Sequence, residues 1–211
     1  MIKPELLAPA GNLEKLKIAF LYGADAVYVG GTVFGLRKYA DNFSLDELLE
    51  GITFANSIGK KVYVVLNGFA HCNDLHSIEQ FVLSLDSCQP HAYIISDIGV
   101  ATLVKQLCNT PIHVSTQASL SNHYVGQLWK EIGATRLILA REVSIDECRH
   151  ITANLPIELE VFVHGAMCAS YSGKCVISNY TSGRDSNRGG CIQSCRHSYD
   201  LFDPKSGKKL D

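Results

Sequence analysis

The chain has 211 residues, of which 46% are apolar and 19% charged, with a formal charge of −2 at neutral pH. A chain of this length buries about 70% of the surface its unfolded form exposes, which supports one ordinary globular domain. Its apolar content excludes a disordered class, and no apolar run approaches the roughly 18 residues of a membrane helix.

From the N-terminus, Met1, Ile2, Lys3, Pro4 and Glu5 put a proline and an acid where an export signal needs a basic region and then an apolar stretch. The cysteines are therefore expected in a reducing, cytoplasmic setting, where metal ligation or catalysis is a better default than disulfide bonding. Short runs rich in Val, Ile and Tyr follow, predicting strands over 5–8, 26–30, 61–66, 92–96, 112–115, 136–140 and 157–163. The intervals between them leave room each time for a helix and two short loops. Repeated strand and helix alternation implies parallel strands with right-handed crossovers.

Helix boundaries carry their own chemistry. Ser44 with Glu47, and Ser144 with Glu147, have the spacing of capping boxes; Asn12, Asp74 and Asp97 are expected N-caps; Gly23, Gly59 and Gly133 stand where helices should stop. No glycine-rich dinucleotide fingerprint follows the first strand, where Pro9, Ala10 and Gly11 stand instead, so a TIM-like (β/α) barrel is favoured over a doubly wound sheet. Residues 1–165 would form the barrel units. Residues 166–211 would form a cysteine-rich segment ending in a β-hairpin, with a strand over 199–202 and a turn over 203–207. Seven strands are visible where a closed barrel has eight, so the chain is expected to continue in a longer protein.

A barrel builds its active site at the C-terminal ends of its strands. Gly30, Gly31, Asn67, Asp97, Thr116, Gln117, Arg141, Glu142 and His164 fall at those positions. Asp97 also reads as a simple helix cap, and His164 as a buried imidazole bonded to backbone.

Charge and cysteine are unevenly spread. Residues 174–211 hold seven Lys or Arg against four Asp or Glu, a net +3, whereas residues 1–173 carry a net −5. Four of the eight cysteines, Cys168, Cys175, Cys191 and Cys195, lie within 28 residues. Six residues separate the first pair, more than structural zinc usually accepts. Iron–sulfur clusters tolerate looser spacing, and buried or redox-active thiols are a third reading. Cys88, Cys108 and Cys148 read as small apolar residues on or near helices, while Cys72 lies in a loop on the presumed active face.

The run Glu160, Phe162, His164-Gly165, Cys168, Tyr171-Ser172-Gly173, Cys175 and Ser178 closely resembles the signature of peptidase family U32. The resemblance extends to residues 5–11 and 23–30, hence over nearly the whole chain. Such a family contains proteins for tRNA wobble-uridine hydroxylation, ribosomal RNA cytidine hydroxylation and oxygen-independent ubiquinone hydroxylation, besides relatives called collagenases. Asn42-Phe43-Ser44, Gly59 to Lys61 and Arg184 to Cys191 look most like the tRNA branch. The resemblance implies a 4Fe-4S cluster on Cys168, Cys175 and Cys191, with Cys195 or a cysteine further downstream as fourth ligand. It also implies prephenate as a small anionic co-substrate and tRNA as partner.

The candidate catalytic set is thus Gln117, Arg141, Glu142, His164 and Tyr171, with Arg37 and Asn67 as candidates for co-substrate binding. Arg141 or Arg37 would hold a carboxylate by bidentate contacts. The basic residues Arg184, Arg188, Arg196, Lys205, Lys208 and Lys209 would meet RNA phosphates, or else form a solvated surface. The leading expectation is an RNA hydroxylase. The alternatives are a peptidase, for which only a Cys168 and His164 pair offers a nucleophile and base, and a noncatalytic cluster-binding protein.

Overall fold

The computed structural model describes residues 3–31 and 42–210, apart from the side chain of Asp86. Seven strands alternate with helices: β1 Leu7–Ala10, α1 Leu13–Leu21, β2 Ala26–Gly30, α2 Leu45–Ser57, β3 Lys61–Leu66, α3 Leu75–Asp86, β4 Ala92–Ile95, α4 Ile98–Leu107, β5 Ile112–Val114, α5 His123–Ile132, β6 Ala134–Ile138, α6 Ile145–Asn154 and β7 Glu158–Glu160. The strands pair in chain order, each parallel to the next. A short helix α7, Ile177–Ser182, and a two-stranded antiparallel hairpin, β8 Leu201–Phe202 with β9 Lys209–Leu210, complete the chain.

Side-chain alternation explains why these runs became parallel strands. In β3, Val62, Val64 and Leu66 point into the layer beneath the helices, where they meet residues such as Leu16, Leu48, Ile52, Ile78 and Val82. Tyr63 and Val65 point the other way, into a second cluster with Ala26, Ala92, Ile94 and Ile138. Both faces are dry, hence the unbroken apolar runs. The second cluster also shows that the sheet curls, since Ile138 on β6 reaches the cluster that holds Ala26 on β2, four strands away. The fold is the curled sheet of a TIM-like barrel, and no ladder joins β7 to β1 among the described residues.

Helix ends follow the expected chemistry with one exception. Ser44 and Ser144 form complete capping boxes, while Asn12 and Asp97 accept from the third helical N–H. Asp74 does not cap α3; its carboxylate takes the His71 N–H at 2.7 Å and an arginine described below. The first strand begins two residues later than expected. The last one stops at Glu160 rather than at residue 163, because residues 161–167 leave the sheet and are exposed.

Inside the curl, near the strands' N-terminal ends, lies a layer of ionisable side chains. Arg136 on β6 donates to Glu5 at 2.7 Å, to Glu158 at 2.9 Å and to Glu160 at 3.3 Å. Tyr63 donates to Glu5 at 2.7 Å, and Lys61 reaches the other oxygen of that carboxylate at 2.7 Å. Burial opposes ionisation of Glu5, but the bonds from Arg136, Lys61 and Tyr63 outweigh it and hold its pKa at about 2. Burial pushes the Glu160 carboxyl up, against the pull of Arg136. His113, edge-on to Tyr63 with ring centroids 4.6 Å apart, has a buried Nδ1 with no hydrogen-bond partner. Burial, aided by the charge of Arg136, lowers its pKa to about 3.

Two outcomes are expected. Arg136→Ala strands buried carboxylates and should cost about 3–5 kcal/mol in urea unfolding, at unchanged slope. Native His113 stays neutral where the unfolded chain binds a proton, so stability should fall as pH drops below about 6.5, with Glu5 adding to the fall from about 4.5 towards about 2. Glu160 acts in the opposite sense over the carboxylate range. In His113→Phe, unfolding midpoints measured against pH should lose most of the dependence between about 6.5 and 4.5, with His91, whose pKa burial also lowers, leaving the remainder and the lower part kept.

Candidate functional site at the C-terminal rim

The rim at the strands' C-terminal ends is tied together by short polar side chains. Asn67, just after β3, donates from Nδ2 to Ser115 Oγ at 3.1 Å, and its carbonyl accepts from Ser96 Oγ at 2.9 Å. These bonds join the ends of β3, β4 and β5. The Asn67 Oδ1 is buried without a partner. Thr116 donates to the carbonyl of Leu139 at 3.0 Å, which ties the end of β5 to that of β6.

The cysteine-rich segment crosses this rim as a strap with an anchor on each side. On the β6 side, Glu142 accepts from Ser172 N and, at 3.0 Å, from Ser172 Oγ; that hydroxyl accepts the Arg141 N–H at 3.2 Å. Ser172 is 1% exposed. Burial works against ionisation of Glu142, but these bonds prevail and lower its pKa. Next in sequence, Gly173 has φ +69°, and a Cβ there would lie 2.1 Å from the Gln117 carbonyl oxygen. Only glycine seats this loop. On the β3 side, Arg188 donates to Asp74 and to the Phe69 carbonyl, both at 2.7 Å, while Phe69 N–H donates to the Asn187 carbonyl at 3.0 Å. The bond from Arg188, with the His71 N–H, lowers the Asp74 pKa.

Between its anchors the strap is built on hydroxyls. Ser178 and Ser194 are fully buried and Ser186 nearly so. Ser178 Oγ accepts the Ile192 N–H at 3.2 Å, Ser186 Oγ accepts the Ser178 N–H at 3.2 Å, and Thr181 and Ser194 share a bond of 2.7 Å.

The expected site residues divide accordingly. Glu142 holds the strap by its side chain, and the Gln117 carbonyl lies against Gly173. Arg141 is half-buried and donates from Nη2 to the Ser170 carbonyl at 3.4 Å. His164 lies in the exposed stretch after β7, not buried as an imidazole bonded to backbone, and no hydrogen bond joins it to Cys168 among the described residues. Tyr171 is 73% exposed. Arg37 lies outside the described residues. Of the basic residues, Arg188 is consumed by its anchor, Arg196 donates to the Met167 carbonyl at 3.2 Å, and Lys209 pairs with Asp200 at 2.7 Å. The strap therefore offers less unpaired positive charge than its composition suggests. Ser172, Asp74 and the serine interior are parts of the strap's mount that residue type alone did not reveal.

All eight cysteines are free thiols; Cys168 and Cys175 are half-buried, Cys191 and Cys195 exposed. Four thiols on one strap are suitable donors for an iron–sulfur cluster. In this structure no three His, Cys, Asp or Glu side chains among the described residues are gathered closely enough to hold a metal ion. No helix among them is long and apolar enough to cross a membrane.

If the anchors seat the strap, Glu142→Ala and Gly173→Ala should speed amide exchange and proteolysis within residues 161–200 severalfold, with little change in protection of the barrel strands. Arg188→Ala and Asp74→Ala should show a coupling of about 1 kcal/mol in a double-mutant cycle.

The family model for peptidase family U32 matches residues 11–210. The chain is 51% identical over 201 residues to the tRNA hydroxylation protein P1 of Bacillus subtilis, covering 95% of this chain and 48% of that protein. It is 38% identical over 199 residues to the 23S rRNA 5-hydroxycytidine C2501 synthase of Escherichia coli, covering 94% of this chain and 30% of that one. Among solved structures, the U32 peptidase Mk0906 superposes with a TM-score of 0.65 at 12% identity, over 75% of this chain and 68% of that one, a likeness of fold alone. The chain spans about half the length of the first of these relatives. On the family model and on these identities together, the chain belongs to peptidase family U32.

Proposed function

We propose that this chain carries the catalytic barrel of an RNA-modifying enzyme that hydroxylates a pyrimidine, with tRNA as substrate. The observation that carries the reading is the 51% identity, over 95% of the chain, to a protein named for tRNA hydroxylation. A relative named for making hydroxycytidine in ribosomal RNA shares the same stretch of chain. Two proteins with different RNA targets and one common reaction suggest that the shared barrel and strap serve the chemistry, and that the target is chosen elsewhere.

The chain's own residues support distinct tasks. Glu142, Ser172 and Gly173 place Tyr171 at the barrel mouth, and Arg141 beside it is suited to a small anionic co-substrate such as prephenate. A thiolate-bound iron–sulfur cluster belongs to the proposal as well. Its assembly would have to draw Cys168, Cys175 and Cys191 together, and it would supply electron transfer when bound. Peptide hydrolysis receives no comparable support, because the Cys168 and His164 pair is not joined.

Mass spectrometry of bulk tRNA from a strain lacking the gene should show loss of the one-oxygen increment on the modified nucleoside, restored by the wild-type gene. Unchanged tRNA would remove this reading. For the cluster, anaerobically purified full-length protein should contain iron and absorb visible light, and Cys168→Ser should lose both; a colourless, iron-free wild type would remove it.

A further inference from the structure

The cysteines of the strap stand on separate turns. Fifteen residues lie between Cys175 and Cys191, and bringing the ends of such a loop together carries an entropic cost that a bound cluster must meet unless the fold has met it already. Asn187, half-buried and four positions before Cys191, engages three neighbours at once. Its carboxamide Nδ2 donates to the Cys175 carbonyl at 3.0 Å, its N–H donates to Asp185 Oδ1 at 3.0 Å, and its carbonyl accepts the Phe69 N–H from the loop after β3 at 3.0 Å.

A second bond runs the same way. The Ile192 N–H, next to Cys191, donates at 3.2 Å to the hydroxyl of Ser178, three positions past Cys175. The backbone that carries Cys175 and the backbone that carries Cys191 are therefore joined at two points, and Arg188 fixes the latter to Asp74 on the rim at 2.7 Å. Ser178 is fully buried and its N–H is bound by Ser186, so removing it would disturb the strap's whole interior. The Asn187 carboxamide is a separate brace on the same pair of turns. It bonds the main chain at Cys175, not the sulfur, so it governs where that thiol stands rather than its electronic character.

We propose that Asn187 is a positioning residue for the strap's thiols: its carboxamide holds the Cys175 turn to the Cys191 turn, so that less chain movement is needed to bring these two thiols onto one cluster. The inference rests on the iron–sulfur reading above and adds a residue that is not itself a ligand.

Two readouts on full-length protein test it, one with iron and one without. In anaerobically purified protein, Asn187→Ala and Asn187→Asp should each release iron to a chelator about fivefold faster, the aspartate matching the side chain's shape while lacking its donor. In iron-free protein, a short dimaleimide should link Cys175 to Cys191, mapped by mass spectrometry, and both variants should cut that yield severalfold. Amide protection of the barrel strands should stay at the wild-type level. Iron release and cross-linking like wild type in Asn187→Ala would overturn the proposal. So would an Asn187→Asp variant that behaves as wild type, because the donor would then be immaterial, or a loss of barrel protection in both variants, which would make Asn187 a general support of the fold. An iron-free wild type would remove the cluster reading instead, and the cross-linking yield would then decide for or against the brace by itself.

Discussion

Arg136 joins parts of the sheet that no ladder connects. Glu5 precedes β1 and Arg136 lies on β6, five strands along; in a flat sheet that interval is about 24 Å. Their side chains are 2.7 Å apart. The guanidinium also reaches both carboxylates of β7, so one residue ties the first strand to the last two. A barrel interior is normally filled with branched apolar residues. Here the layer nearest the N-terminal ends is ionic, and the apolar cluster of Tyr63, Val65, Ile94 and Ile138 stands beside it. Such a layer adds little net stability over a well-packed apolar one, but it is costly to break and sets which strand ends must converge. The curvature of the C-terminal rim depends on that convergence.

The rim then acts as a mount. Its side chains bind one another and the strap: Asn67 to Ser115, Thr116 to the end of β6, Glu142 to Ser172, Asp74 to Arg188. A carboxylate at the end of a barrel strand invites a reading as acid or base. Glu142, however, accepts two bonds from Ser172, which favour its ionised form and occupy both oxygens. In this structure those bonds fix the backbone at Ser172.

How far the sequence foretold this differs between the two halves of the chain. Strands 26–30 and 61–66 were legible to the residue, because a parallel strand buried on both faces leaves an unbroken apolar run bounded by polar loops. Ser44, Ser144, Asn12 and Asp97 were legible because caps use local chemistry. Asp74 misled, since the same residue type immediately before a helix can bind a distant arginine instead, and Arg188 is 114 positions away. The end of β7 misled too. Val161, Phe162 and Val163 have a strand's composition, yet they leave the sheet, and pairing is a long-range property that composition does not encode. The strap's interior could not be foreseen, because serines carry no hydrophobic signal and their burial follows from satisfied hydrogen bonds.

The polar side chains of barrel and strap divide into engaged and exposed groups. Barrel side chains with the strongest character are committed inward: Arg136 to its carboxylates, His113 held neutral against Tyr63, Glu142 to the strap. At this end of the molecule His71 and the Cys72 thiol, in the loop after β3, are exposed, and the exposed His164, Tyr171, Lys174, Tyr180 and the thiols of Cys191 and Cys195 follow β7. The barrel therefore supplies shape and rigidity, and the strap lies over its rim with the more open outer face. The outer face of such a short anchored segment can change without disturbing the Arg136 layer or the two anchors beneath it.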